Sequence, residues 1–160
     1  MEEITIYIIT AFLSFLPISE LRGGIPFAVA NNVPWYTAFA ISVFFNTLVA
    51  PFVWIFLSTL NKLFLKMNWY KRLFEKFIER ARNKLRNSVE RWGWFGIAVF
   101  VAIPLPFTGA WTGTLGAWVL GISKRKAIAA IITGVIISGI VVTLVVVLGI
   151  HALDIFVKMN

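Results

Sequence analysis

Two long stretches of this sequence carry no charged residue, one from Trp35 to about Leu60 and the other from Ala127 to about Ile150. Each is longer than the roughly 20 apolar residues that an α-helix needs to cross a bilayer. A soluble domain would need far more polar surface than a 160-residue chain that is 59% hydrophobic supplies. The sequence therefore predicts an all-α integral membrane protein with full transmembrane helices at 35–60 and 127–150.

Two further apolar regions, 4–30 and 93–122, are broken in the middle by prolines and glycines. The first contains "PISELRGGIP" at residues 17–26, and the second contains "IPLPFTGAWTG" at residues 103–113. Neither region is long enough for two full spans and a turn, and its central residues interrupt helices. Each region is predicted to be a re-entrant hairpin, whose irregular tip must be shielded by protein or line a wet cavity.

Basic residues give the expected orientation of these segments. Ten of the fifteen lysines and arginines lie between Lys62 and Arg91, and three more lie at 124–126. Positive charge marks the cytoplasmic side of membrane segments, so residues 61–92 and 123–126 are expected there. The hairpin at 93–122 then opens from the cytoplasm and the hairpin at 4–30 opens from outside. Both termini are expected outside.

Segment 61–92 has apolar side chains at steps of three and four residues and a mostly basic opposite face. The apolar positions are Leu63, Met67, Tyr70, Phe74, Phe77, Ala81, Leu85, Val89 and Trp92. The basic positions include Lys71, Arg72, Lys76, Arg80 and Arg82. This pattern predicts an amphipathic helix on the membrane surface that meets anionic head groups, and a soluble hairpin between spans is the alternative. No base-reading motif is present, so nucleic acid is not an expected partner.

The two halves of the chain resemble each other. A shift of 89 residues places Pro17 on Pro106 and Gly24 on Gly113, and it reproduces the order of hairpin and span. Because the hairpins open from opposite faces, we expect an inverted repeat within a single membrane domain, 1–160. Repeat one covers 1–60, the amphipathic helix 61–92 and repeat two 93–150. Such repeats place a binding site near the bilayer midplane, where broken helices meet.

Glu20 and Arg22 are the first candidates for a functional role, because an ionisable residue deep in a bilayer costs at least a few kcal/mol. Glu20 is a candidate to bind and release a proton. Arg22 is a candidate to hold an anionic group through its planar fork of donors. The alternative is a structural pair in which the two side chains satisfy each other.

Residues around both tips complete the predicted substrate or ion site. Gly23, Gly24 and Pro26 are expected to form a tight turn and to permit close backbone approach. The facing tip supplies Pro104, Pro106, Thr108, Gly109, Trp111, Thr112 and Gly113. The Trp111 ring either stacks on a ligand or caps the cavity, or it serves as a packing aromatic. Asn46, in the first full span, either bonds across helices or lines the substrate path.

Catalytic and metal-binding chemistry has little support in the sequence. The chain has no cysteine, one histidine at position 151 and one aspartate at position 154. No metal, cofactor or enzymatic activity is therefore expected. Two full spans shield two hairpins poorly from lipid, so a homo-oligomer is expected.

The two tips together, "PISELRGGIP" and "IPLPFTGAWTG", resemble the small multidrug export protein family of archaea and bacteria, over nearly the whole chain. That family is in turn similar to the DedA/VTT-domain membrane proteins, which are built around two facing re-entrant hairpins. Some of those proteins are implicated in proton-coupled flipping of polyprenyl-phosphate or phospholipids. The resemblance implies a multi-pass protein of a prokaryotic plasma membrane.

The resemblance also bears on the site. It puts Glu20 and Arg22 where the first DedA hairpin has essential acidic residues. The second DedA hairpin usually carries an arginine near its proline, and "IPLPFTGAW" has none. That departure favours a neutral or cationic substrate over a lipid phosphate.

The leading interpretation is a transporter that exports small molecules through a midplane site, with ion or proton coupling. One alternative is a DedA-like flippase or scramblase of polyprenyl-phosphate or phospholipid. The other is a non-transporting membrane scaffold whose basic helix binds lipid or partners. The expected partners are membrane lipid, an unidentified small-molecule or lipid substrate, and protons.

Overall fold

The computed structural model describes residues 2–59, 64, 66–105 and 108–159, with side chains described as far as residue 150. Within these residues the chain forms seven helices and no strand. They are α1 (Glu3–Phe15), α2 (Glu20–Ala30), α3 (Trp35–Thr59), α4 (Asn68–Trp92), α5 (Phe95–Ala102), α6 (Ala110–Val119) and α7 (Lys124–Met159). The described residues confirm the all-α prediction.

Two of these helices, α3 and residues 124–150 of α7, are long and apolar enough to cross a membrane by length and composition. α3 begins at Trp35, as predicted. α7 begins at Lys124, three residues before the predicted apolar run, because lysine and arginine are good helix formers and continue the helix beyond its apolar part.

The molecule is apolar on its outside and carries polar groups inside. Large exposed side chains on the long helices include Phe44, Leu48, Phe52, Ile55, Ile140, Leu144 and Leu148. Fully buried side chains include Thr10, Ser14, Ser42, Asn46 and Thr114. A soluble protein has the reverse tendency, with polar side chains outside. This arrangement is the one expected of helices whose outer faces meet lipid.

The break in each short-helix pair is narrower than the sequence predicts. α1 ends before Pro17, as expected, and α2 begins only a few residues later, at Glu20. The prediction that the residues after Glu20 interrupt the helix is wrong, because Gly23, Gly24 and Pro26 lie inside α2. In the second pair, Gly113 likewise lies inside α6.

Close packing against neighbouring helices explains Gly24 and Gly113. A Cβ added at Gly24 would lie 2.0 Å from the Ser14 hydroxyl oxygen, and one at Gly113 would lie 2.6 Å from a Val101 methyl carbon. A glycine inside a helix costs about 1 kcal/mol relative to alanine, and the contacts between neighbouring helices offset that cost. The predicted close approach is therefore present, without the predicted turn.

The order of two short helices and one long helix occurs twice, as α1–α3 and α5–α7. With a shift of 89 residues, Ala30 at the end of α2 falls on Val119 at the end of α6. The same shift places Trp35 at the start of α3 on Lys124 at the start of α7. α2 packs against α7, α6 packs against α3, and the two long helices pack against each other. Each half therefore packs against the other in a reciprocal way.

α4 packs against the second short-helix pair through its apolar face, with Ala81 and Leu85 fully buried. A Cβ added at Gly116 would lie 2.7 Å from Leu85 Cδ1, and one at Gly96 would lie 2.1 Å from the Ser88 carbonyl oxygen. These glycines bring α4 close to α5 and α6. The five predicted surface cations are all exposed on α4: Lys71, Arg72, Lys76, Arg80 and Arg82.

Candidate functional site

The carboxylate of Glu20 lies at the first turn of α6. Its Oε1 accepts a hydrogen bond from the Trp111 N–H at 3.5 Å. The residue is 4% exposed. Because the first turn of a helix carries unpaired N–H groups and a partial positive charge, α6 stabilises this buried negative charge. The first tip motif, residues 17–26, thus supplies a cap for α6 of the second half.

The residue before α6, Gly109, leaves the space that this carboxylate fills. A Cβ added there would lie 1.7 Å from Glu20 Oε2. No side chain fits at that distance, so the carboxylate and the glycine are matched to each other. The position of Gly109 in the predicted site thus has a specific geometric reason.

Glu20 itself has an unusual backbone conformation. Its φ is +49°, in the left-handed region that non-glycine residues rarely adopt. Such a conformation costs on the order of 1–3 kcal/mol and persists only where the surroundings impose it. Here the contacts of the Glu20 side chain with α6 hold the backbone in this conformation.

Arg22 spans the two tips. One guanidinium nitrogen lies 3.2 Å from Glu20 Oε2 and donates to the Thr108 carbonyl at 3.3 Å, and the other nitrogen of the fork donates to the Leu105 carbonyl. Its Nε is buried and has no hydrogen-bond partner. The carbonyls of Leu105 and Thr108 lie in the break between α5 and α6, where no helix hydrogen bond uses them. Arg22 therefore donates to the Thr108 carbonyl and adds a donor to the Leu105 carbonyl, which also accepts a hydrogen bond from the Thr108 N–H at 3.2 Å.

Thr108 and Trp111 also stabilise the contact between the two tips, which is the tip junction. Thr108 Oγ1 lies 2.7 Å from the carbonyl oxygens of Ile103 and Leu105 and accepts a hydrogen bond from the Leu105 N–H at 3.2 Å. The Trp111 indole N–H donates to the Phe15 carbonyl at 2.8 Å, at the end of α1. Trp111 thus serves as a packing and hydrogen-bonding residue between the tips in this structure.

A buried polar cluster continues from the junction between α1, α2 and α3. The Asn46 amide donates to the Ser14 carbonyl at 3.0 Å, so this residue bonds across helices. The Ser14 and Ser42 hydroxyl oxygens both lie beside Gly24, at 2.0 and 2.9 Å from the position that its Cβ would take. Asn46 Oδ1 and the Ser42 hydroxyl are buried without a partner. A buried polar atom without a partner is costly. Because these two oxygens have no partner, they can accept a hydrogen bond from a further donor or bind a cation.

A cavity of about 270 Å³ opens beside Arg22. Pro26 and Pro104 line it, together with valines of α7. The cavity is mostly apolar, and the arginine lies at its edge. Three residues of the predicted site, Arg22, Pro26 and Pro104, are therefore brought together here.

The structure does not bring every predicted residue to the junction. Gly23 lies in α2, where its missing Cβ makes room for the Ser19 hydroxyl, and Gly113 packs on α5. Thr112 faces a groove next to α4 that Arg80 also lines. Pro106 lies outside the described residues. Among the residues that the structure describes, no three acidic or histidine side chains come together as metal ligands would.

Several residues of the junction are not identified by the sequence analysis. Ser14 and Ser42 look like ordinary polar residues of apolar helices, and the Leu105 carbonyl is a backbone group. One signal was available: Thr10 with Ser14, and Ser42 with Asn46, are spaced four apart and place polar groups on one face of each helix.

The comparisons with known proteins add one match. The family model described as "Putative small multi-drug export protein" matches residues 20–141, from Glu20 in the junction to the middle of α7.

The chain belongs to this family.

The resemblance is thereby confirmed, and the matched region contains residues 20–26 of the first tip, the whole of the second tip and the whole of α4. No curated protein and no solved structure matches the chain. Membership of an export family, together with two apolar helices of membrane-spanning length, indicates a membrane protein with a transport role.

Proposed function

We propose that this small multi-drug export protein is a transporter whose midplane site is the junction of its two hairpin tips. The observation that carries the proposal is the Glu20 carboxylate, which comes from one half of the chain and is held by the first turn of α6 from the other half. A charged residue held between two broken helices is the arrangement that secondary transporters use for substrate and ion sites.

The membrane arrangement of the proposal is an inverted repeat. The pairs α1–α2 and α5–α6 are re-entrant hairpins that open from opposite faces, and α3 and α7 cross the membrane. Support comes from the recurrence of helix ends at 89 residues and from the reciprocal packing of α2 on α7 and α6 on α3. The basic residues of α4 and of the start of α7 support a cytoplasmic position for these segments and an outside position for the termini.

The proposed coupling step is proton binding at Glu20. A proton on the carboxylate removes its charge and weakens two contacts at once, the ion pair with Arg22 and the interaction with the first turn of α6. The two tips are then held mainly by Arg22 and the carbonyls of the break. Loss of the proton restores the junction. Alternation between these states exposes the site to one side of the membrane and then the other.

The cavity beside Arg22 is the proposed substrate position. Its valine and proline walls suit a small, mostly apolar molecule, and its volume of about 270 Å³ limits the size. No covalent chemistry is involved in this proposal. Membrane lipid surrounds the apolar outer face, and a homo-oligomer would cover part of that face.

An export assay tests the proposal. Cells that lack their own exporters are made to express wild type, Glu20→Gln or the matched control Glu79→Gln, which changes an exposed glutamate of α4. Wild type and the control are expected to lower sensitivity to some apolar compounds, and Glu20→Gln is expected to abolish that effect at equal protein level. If Glu20→Gln matches wild type with every exported compound, the assignment of the site is wrong.

The same protein in vesicles separates the alternatives. Movement of labelled polyprenyl-phosphate across the bilayer, without export of any compound, would favour the lipid flippase or scramblase. Loss of a cellular effect on neutralising Lys71, Arg72 and Lys76, with none on Glu20→Gln, would favour the scaffold.

A further inference from the structure

A groove runs between α4 on one side and α6, the α1–α2 turn and the C-terminal part of α3 on the other. Phe77 of α4 and Leu115 of α6 line it along its length. It consists of three adjoining cavities of about 230, 500 and 530 Å³. Its middle part reaches Pro17 and Trp111, next to the tip junction.

The two ends of the groove differ in chemistry. One end is lined by Arg80 and Lys84, which are one helical turn apart on α4, and by Thr112 opposite them. The other end is apolar and rich in aromatic rings, among them Phe52, Phe56 and Phe74. No acidic side chain is among the described residues that line the groove.

A ligand that matches both ends has an anionic head and an apolar tail. We propose that the groove binds one anionic phospholipid. Its phosphate lies against Arg80 and Lys84, where the two cations supply charge-assisted hydrogen bonds. One acyl chain runs along Phe77 and Leu115 towards the aromatic end. Charge complementarity selects this occupant over a zwitterionic lipid, and the apolar length of the groove selects it over free phosphate.

This site goes beyond the proposed transport function. It lies beside the tip junction and uses neither Glu20 nor Arg22, so it would persist in a protein that transports nothing. Lys84 and Phe77 gain a role that the general attraction of a basic helix to a membrane does not give them. That general attraction acts on all exposed cations of α4, whereas the groove involves only two of them.

Native mass spectrometry of the full-length protein in detergent tests the proposal, with phosphatidylglycerol and phosphatidylcholine as probes. We expect one phosphatidylglycerol to bind wild type more tightly than phosphatidylcholine of the same acyl chains. The double variant R80Q/K84Q is expected to lower that affinity by roughly fivefold for each charge removed. The matched control R72Q/K76Q removes the same charge from the same helix outside the groove, and we expect it to bind as wild type does.

Four results would overturn the site. They are an equal loss in R72Q/K76Q, equal binding of the two lipids by wild type, unchanged binding in R80Q/K84Q, and displacement of the lipid by inorganic phosphate at the same concentration. Because all four changed residues are exposed, the variants keep the fold, which thermal unfolding checks. Glu20→Gln is expected to leave lipid binding unchanged, so failure of the transport proposal and failure of this one are distinguishable.

Discussion

The carboxylate of Glu20 accepts a hydrogen bond from the Trp111 N–H at 3.5 Å, and these two residues are 91 positions apart in the chain. One belongs to the first half and the other to the first turn of a helix in the second half. The contact joins the first turns of two helices, α2 and α6.

Removal of the guanidinium is expected to destabilise the junction strongly. Arg22→Gln leaves the buried Glu20 charge without its partner and removes one donor each from the carbonyls of Leu105 and Thr108. We expect a loss of about 3 kcal/mol, the usual cost of breaking a buried pair from one side. Thermal unfolding in detergent measures it. Arg82→Gln, on the exposed face of α4, is the control and should change stability by less than about 0.5 kcal/mol.

The space at Gly109 predicts that the effects of substitutions at Gly109 and Glu20 on stability are not additive. Gly109→Ala places a Cβ 1.7 Å from Glu20 Oε2, so the carboxylate must move, and we expect a stability loss comparable to that of Glu20→Ala. In the double variant Gly109→Ala/Glu20→Ala, the second change should add little, because the obstructed group is already gone.

The matched control for this cycle is Gly149→Ala, since nothing lies within 4 Å of a Cβ at that position of α7. Additive losses for Gly109→Ala and Glu20→Ala would show that the carboxylate does not occupy the space at Gly109.

The close contact at Gly24 predicts that a substitution in a neighbouring helix restores part of the stability lost by Gly24→Ala. Gly24→Ala forces a methyl group against the Ser14 hydroxyl, and overpacking of this kind costs about 1–3 kcal/mol. Ser14→Ala removes the obstructing oxygen and should restore part of the stability. The recovery is partial because the Ser42 hydroxyl and the Thr10 carbonyl remain close to the new methyl group. Ser138→Ala, a buried serine of α7, should give no recovery.

The indole of Trp111 is expected to contribute through its hydrogen bond. Trp111→Phe keeps a ring in place but removes the donor to the Phe15 carbonyl, and we expect a loss of about 1 kcal/mol. Trp92→Phe changes a side chain that is 65% exposed and is the control. Equal unfolding temperatures for the two variants would mean that this hydrogen bond contributes nothing.

Single cysteines test the proposed orientation directly, since the chain has none of its own. We expect cysteines at Glu2 and Asn32 to react with a membrane-impermeant reagent from outside, and cysteines at Gly93 and Ser123 to react from the cytoplasm. Labelling of Gly93 and Ser123 from opposite sides would show that the second hairpin crosses the membrane, which contradicts the inverted repeat.

The sequence predicts those features of the fold that depend on local periodicity and charge. The start of α3 at Trp35, the end of α1 before Pro17 and the helical segment that ends at Trp92 all follow from apolar runs, proline and amphipathic spacing. The error at Gly24 and Gly113 has one physical cause. Intrinsic propensity treats glycine as a helix breaker, and packing between helices outweighs that propensity where backbones must come close.

The sequence predicts which residues belong to the candidate site, but it does not predict which contacts they make. An ionisable pair in an apolar region indicates Glu20 and Arg22, and the facing motif indicates Gly109 and Trp111. That the carboxylate fills the space at Gly109 and that Arg22 reaches the carbonyl of Leu105 depend on the relative placement of two distant segments. Periodicity and composition contain no information on that placement.

The left-handed backbone of Glu20 restricts what evolution can place at this position. The backbone angle is best tolerated by glycine, asparagine or aspartate, which are all shorter than glutamate. The space at Gly109 and the donors of α6 are positioned for a carboxylate one methylene further out than aspartate carries it. Glycine, asparagine or aspartate would relax the backbone, but none of them would reach the donors of α6. A side chain as long as that of glutamate reaches these donors but keeps the strained backbone conformation. Position 20 has almost no neutral replacement, and genetic drift there ends in loss of the junction.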